Sequence, residues 1–298
     1  MPEIILRLGT RRSPLAMAQA LETRDRLATA HGFSPDAIEL VPVTASGDKV
    51  QDRALAEIGG KALWTRELDG WLAEGRIDGA VHSLKDVETL RPDSLALAAI
   101  LPSADKRDRL LGAASIAALP QGATVGTSAP RRAAQLLHLR PDCRVVTFRG
   151  NVATRMAKLA AGEVDATFLA AAGLDRLGEG GVGHPLDPRE WLPAPSQGAI
   201  GVECRADDRR TSDLLAAIDH GPSRAEVMAE RALLTALGGN CHSPIAVLCD
   251  GAILTAALFS PDGAEEVAGQ GTDPAALAAD LLVRATPGIA AHFSGSPE

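Results

Sequence analysis

Ile4-Ile5-Leu6-Arg7-Leu8-Gly9-Thr10-Arg11-Arg12-Ser13-Pro14 passes from an apolar run directly into a helix start. Ile4 to Gly9 reads as a strand. Ser13 reads as an N-cap and Pro14 as the first helical residue, where its missing N–H costs nothing. The helix runs to His31-Gly32, where glycine supplies the stop. In the second hundred residues Val125-Gly126-Thr127-Ser128-Ala129-Pro130-Arg131-Arg132 echoes the arrangement. Both are strand-to-helix turns with Gly-Thr, a hydroxyl, a proline and paired arginines.

Strand and helix signals alternate outward from both turns. Around the first lie strands at Ile38 to Val43, Gly79 to His82 and Leu95 to Leu101, with a helix at Leu63 to Gly75. Around the second lie strands at Thr124 to Gly126, Val145 to Phe148 and Ala166 to Leu169, with helices at Arg131 to Leu139 and Val152 to Ala161. The β-α-β-α order predicts an α/β protein whose parallel or mixed sheets are covered by helices. Gly178 to Pro195 reads as a crossover and Ala199 to Glu203 as a further strand. From Pro222 the composition shifts to a helix (Arg224 to Leu237), a cysteine loop, strands at Ile245 to Cys249 and Ile253 to Leu258, and a helix from Pro274. Past residue 250 the single cation is Arg284, which marks a small separate α/β domain.

Composition excludes several classes. With 298 residues, 46% of them hydrophobic and 23% charged, the chain buries real cores and is neither disordered nor a disulfide-stapled scaffold. The longest uncharged stretches, Leu110 to Pro130 and Ala232 to Cys249, are interrupted by proline, glycine and polar residues, so no membrane span is expected. Glu3 precedes the first apolar run, which is unlike a signal peptide, so the expected location is the cytosol. An isoelectric point near 5.4 argues against nucleic acid as a partner. Four cysteines without Cys-x-x-Cys or zinc-type histidine spacing read as free thiols, and no metal is expected. Cys249 reads as core filler. Cys241, in Gly-Gly-Asn-Cys-His-Ser-Pro, is an accessible thiol that needs a reason.

The cations are 25 arginines and five lysines, and residues 1–158 carry a net charge of +4 against −12 for the rest. A helix start is a prepared anion site, because free N–H groups point out of it and the dipole adds about half a positive charge. Arginine adds a planar fork matched to carboxylate or phosphate. Arg11 and Arg12, Arg131 and Arg132, and Arg149 and Arg155 all stand at such starts. Singly, each reads as a solvated surface residue; together they read as a shared polyanion site. The absence of phosphate-loop and dinucleotide fingerprints favours a multiply carboxylated ligand over a nucleotide. Val81-His82-Ser83-Leu84-Lys85-Asp86-Val87 closes a strand with three ionisable groups. If the strand persists, alternation sends His82, Leu84 and Asp86 to one side. Asp86 is then either an ion-pair partner of Lys85 or a carboxylate that steadies a developing cation.

These segments resemble the porphobilinogen deaminases, also called hydroxymethylbilane synthases, over nearly the whole chain. The matching runs are LGTRRSPLA (Leu8 to Ala16), GGKALW (Gly59 to Trp64), VHSLKDV (Val81 to Val87), GTSAPRR (Gly126 to Arg132), RGNVATR (Arg149 to Arg155), QGAIGVECR (Gln197 to Arg205) and the Cys241 loop. The resemblance implies a transferase that condenses four porphobilinogen molecules head to tail with loss of ammonia. It further implies a dipyrromethane primer joined to Cys241 by a thioether, and catalysis by Asp86. Each pyrrole carries an acetate and a propionate, and Arg11, Ser13, Lys85, Thr127, Ser128, Arg131, Arg132, Arg149, Arg155 and Arg176 match the positions that bind them, with Trp64 and Gln197 beside the site. The implied fold is two lobes like those of periplasmic binding proteins (1–101 with 198–217, and 102–197) and a C-terminal domain (218–298), in a monomer. Ala129 and Pro130 replace the usual serine and leucine. The cysteine loop reads Gly238-Gly239-Asn240-Cys241 where Glu-Gly-Gly-Cys is common. A two-lobed anion binder without catalysis is the alternative, and it leaves Cys241 and Asp86 unexplained. A cysteine-nucleophile transferase would want a histidine base, and His242 is adjacent in sequence, which points its side chain elsewhere.

Overall fold

The computed structural model describes residues 3–43, 65–239 and 242–293; Trp64 and Cys241 lie outside the described residues. In chain order, β1 (Leu6–Arg11) leads to α1 (Pro14–His31), β2 (Ile38–Val43), α2 (Arg66–Ala73), β3 (Gly79–Ser83) and β4 (Leu95–Ile100). Next come β5 (Asp108–Leu111), β6 (Thr124–Gly126), α3 (Pro130–Leu139), β7 (Arg144–Val146), α4 (Val152–Ala160), β8 (Ala166–Ala170) and α5 (Ala171–Arg176). The short β9 (His184–Pro185) precedes β10 (Ile200–Arg205), α6 (Arg209–Ala216) and α7 (Gly221–Leu237). The chain then runs through β11 (Ile245–Asp250), β12 (Ile253–Phe259), β13 (Glu266–Gly271), α8 (Pro274–Arg284) and α9 (Pro287–Ala290).

Two five-stranded mixed sheets carry the echo seen at the two turns. The first has the order β2-β1-β3-β10-β4 and the second β7-β6-β8-β5-β9. In each, the first three strands are parallel, and the fourth runs antiparallel to both of its neighbours. The correspondence is strand for strand. β11, β12 and β13 form a separate antiparallel meander. Among the described residues one compact unit draws on 3–43, 65–104 and 198–225, and the other on 105–197, 226–239 and 242–293. The meander therefore shares its unit with the second sheet. It has its own core, built on Leu233, Leu237, Val247, Leu258 and Leu281, and meets α3 through Ala134, Ala246, Ala257 and Phe259.

The two turns are built differently. Ser13 caps α1 with its Oγ accepting from the Ala16 N–H at 3.3 Å, and Gly32, at φ +67°, closes the helix. Ala129 stands at the N-cap of α3 with no side-chain bond. Thr127 Oγ1 compensates by accepting from the Ala129 N–H at 3.2 Å. Pattern reading passes over β5, β9, β13 and α6. β5 is four residues long and opens on an aspartate, β13 carries two glycines, and α6 begins on two arginines; each is fixed by what it packs against. No helix among the described residues is long and apolar enough to cross a membrane.

Candidate active site

β3 ends at Ser83, and Leu84–Asp86 turns away as a single three-ten turn. The strict alternation expected across Val81 to Val87 therefore stops before Asp86. Two contacts make the turn. The Leu84 N–H donates to the Ala199 carbonyl at 3.1 Å, and the Val87 N–H closes the turn on the Leu84 carbonyl at 3.2 Å. Leu84 is buried against Gly201, where a Cβ would stand 2.4 Å from Leu84 Cδ2, so only glycine lets the turn settle. The result is a half-buried Asp86 in a recess shared with Arg11, Gln19, Thr65, His82 and Ser83. Gln19 and Ser83 brace one wall, with Nε2 to Oγ at 2.8 Å and Oγ to Oε1 at 3.0 Å. Lys85 and Arg11 are half-buried, and Ser13 is committed to its cap.

A buried ion network lies behind the recess. His82 Nε2 is 3.3 Å from Glu203 Oε2. Arg91 forks the same carboxylate, with Nε to Oε1 and Nη2 to Oε2 both at 2.9 Å. Arg91 also reaches Glu88 at 2.9 Å and Asp69 at 2.6 Å. Burial pushes the Glu203 carboxyl up, but His82 and Arg91 outweigh it and hold the group at about 2. Sequence reading missed Arg91 and Glu203. A lone acid inside the apolar strand Ile200–Arg205 was a legible signal for Glu203; Arg91, in a polar loop, had none.

In the second unit the structure divides the expected anion-binding set. Arg149, Arg155 and Arg176 are half-buried near helix ends, with Arg155 Nε bonded to the Gly150 carbonyl at 3.0 Å. Ser128 Oγ ties down Phe148, donating to its carbonyl at 3.0 Å and accepting from its N–H at 3.1 Å. Arg131 and Arg132 depart from the exposed forks that a surface polyanion site requires. Both are buried on Asp108, whose carboxylate takes Arg131 Nη2 at 2.7 Å, Arg132 Nη2 at 2.7 Å and Arg132 Nε at 3.2 Å. Trp191 Nε1 and Gln197 Nε2 add bonds to Asp108, each at 2.9 Å. Burial alone would push the Asp108 carboxyl up; the two guanidiniums prevail and hold it well below the usual range. Asp108 escaped sequence reading because Lys106-Arg107-Asp108-Arg109 looks like a solvated charge run. Two cations on one anion leave the buried cluster one positive charge in excess.

A family model described as "Porphobilinogen deaminase, dipyromethane cofactor binding domain" matches residues 6–213, and one described as "Porphobilinogen deaminase, C-terminal domain" matches residues 224–285. The chain belongs to the porphobilinogen deaminase family. A porphobilinogen deaminase of Sphingopyxis alaskensis is 58% identical over 308 aligned positions covering 98% of each chain. One from Paracoccus denitrificans is 51% identical, covering 92% of this chain and 90% of its own. Among solved structures, a periplasmic substrate-binding protein of an ABC transporter from Coxiella burnetii aligns with TM-score 0.44 and 15% identity over 76% of this chain and 95% of that one. Like the rest of the porphobilinogen deaminase family, this chain is a transferase of tetrapyrrole synthesis, and the family's prosthetic group is dipyrromethane. The side chains present suit such a group. A half-buried carboxylate at Asp86 offers acceptors to pyrrole N–H groups, and arginines at helix starts offer forks to its acetate and propionate arms.

Proposed function

We propose that this protein joins four porphobilinogen molecules head to tail, releasing one ammonia per addition, on a dipyrromethane primer attached to Cys241, and then hydrolyses off the linear tetrapyrrole. The observation that carries the reading is the Asp86 turn: a half-buried carboxylate seated beside Arg11 in a recess of the first unit. The bound primer supplies a nucleophilic pyrrole α-carbon to which the incoming ring is joined. Asp86 accepts from pyrrole N–H and, as the aminomethyl C–N bond breaks and ammonia departs with the electron pair, its negative charge stabilises the cation left on the ring. A fixed charge in a half-buried recess does this with little reorganisation, because the turn is already locked by Leu84 and Gly201. Arg11, Lys85, Arg149, Arg155 and Arg176 neutralise the acetate and propionate arms, and each added ring brings two more negative charges that need partners. The excess positive charge at Arg131 and Arg132 serves the same arms. Thr127 and Ser128 shape the turn before α3, and Gln197 and Trp64 complete the proposed binding set. The reading places a monomer in the cytosol, with porphobilinogen as its small-molecule partner.

Intact mass is the direct test. The purified protein should weigh more than its sequence and redden with an acidic aldehyde reagent for pyrroles, and adding porphobilinogen should produce a ladder of increments. A mass equal to that of the sequence, with Cys241 alkylating freely in active protein, would overturn the primer assignment.

A further inference from the structure

Glu230 lies on α7 with its side chain almost completely buried. Its Oε2 accepts the backbone N–H of Ser196 at 2.6 Å, and its Oε1 accepts that of Cys249 at 2.8 Å. Ser196 is the one non-glycine residue with a positive φ among the described residues, at +61°. A serine remains in that region only where its surroundings over-determine it. Two contacts hold it there: the Gln197 N–H closes the turn on the Ala194 carbonyl at 3.0 Å, and the Glu230 carboxylate takes the Ser196 N–H. The next residue, Gln197, donates from Nε2 to Lys106 O at 2.8 Å and to Asp108 Oδ1 at 2.9 Å. Asp108 in turn holds Arg131 and Arg132. One unbroken path of short bonds thus leads from α7 to the paired arginines, within a single compact unit.

We propose that Glu230 is a positioning residue: its carboxylate clamps the Ser196 backbone in the left-handed conformation and thereby seats Gln197 on Asp108, fixing the Asp108–Arg131–Arg132 cluster whose excess positive charge serves ligand carboxylates. The inference rests on the reading above that these arginines serve a carboxylated ligand. The clamp titrates in the working range. Burial pushes the Glu230 carboxyl up to about 7, against the pull of Lys106 and the two amides. The ionisable groups around it are Lys106, with Nζ 4.0 Å away, Glu226 on α7, and Cys249 on β11 with Asp250 beside it; the Pro193–Gln197 segment adds none. Lys106 is itself engaged by Glu226 at 2.7 Å and by the Cys249 carbonyl at 2.8 Å. A proton on Glu230 converts one acceptor oxygen to a hydroxyl and loosens the amide it faces.

Steady-state kcat and KM for porphobilinogen, measured from about pH 5.5 to about pH 8.5 on primer-loaded protein, test this. Wild-type KM should rise at least about threefold as pH falls through 7, with kcat changing less. Glu230→Gln keeps the volume but can accept from only one of the two amides, so its KM should be high and independent of pH. Ser196→Gly adopts the same φ without help. It should hold a low KM to lower pH and should restore a low KM in the Glu230→Gln background. A KM in Glu230→Gln that follows the wild-type pH curve would overturn the proposal, as would failure of Ser196→Gly to rescue it. If Glu230→Gln does not fold, a wild-type pH curve in the Ser196→Gly single variant is enough to reject it. A wild type that consumes no porphobilinogen rejects the function itself, an outcome distinct from an active wild type whose variants leave KM unmoved.

Discussion

Asp86 owes its place to a turn rather than to a strand. β3 stops at Ser83, and the next three residues swing the carboxylate into the recess beside Arg11. In the proposed mechanism its contribution is charge at a fixed point, so Asp86→Asn keeps the shape and removes that charge. Turnover should fall by about 10²–10³, the scale of one preorganised electrostatic group, while intact mass still shows the primer. Turnover within about twofold of wild type would take Asp86 out of the mechanism. The same residue-scale logic separates the arginines. Arg91, Arg131 and Arg132 are anchored on buried carboxylates. Arg11, Arg149, Arg155 and Arg176 are each partly exposed.

At the scale of elements, strand β10 is the piece that joins sequence-distant parts into one site. It enters the first sheet antiparallel between β3 and β4, bringing Gly201 opposite His82 and Glu203 opposite Ala80. Gly201 makes room for Leu84, and Glu203 stands between Arg91, which it binds, and His82, whose Nε2 lies 3.3 Å away. Gly201→Ala would drive a methyl into Leu84 and displace the Asp86 turn. We expect a loss of about 1–3 kcal/mol in stability, the usual cost of overpacking, together with a fall in kcat. Chemical denaturation and kinetics on the same preparation check both; an unchanged kcat would show that the turn tolerates the shift. Elements with clear end signals or a continuous apolar run were legible in the chain, as α1, bounded by Ser13-Pro14 and Gly32, and β12 show. β5 and β9 were not, because two- and four-residue strands exist only through their neighbours.

For the whole molecule, two buried carboxylates pull stability in opposite directions with pH. Glu203 is held at about 2, below its ordinary 4.5, so its contribution is present above 4.5 and lost as pH falls toward 2. Glu230 is raised to about 7, so its contribution is full below 4.5 and lost as pH rises through 7. Each shift corresponds to roughly 3 kcal/mol. Unfolding free energy of the wild type, taken relative to Glu230→Gln, should therefore decline from about pH 4.5 to about pH 7 and level off above it. A difference curve flat across that window would show that the carboxyl titrates as in water.

The chain's linear order already specified the alternating α/β architecture, the paired strand-to-helix turns and the charged segment that closes on Asp86. Capping, periodicity and motif spacing are local properties, and local properties are written in neighbouring residues. Folding alone decided that Asp108 lies beneath Arg131 and Arg132, that Glu203 links Arg91 to His82, and that Glu230 grips Ser196. Those partners are separated by between 23 and 121 residues and meet only after burial has stripped their water, which makes pairing obligatory and selects which charges stay inside.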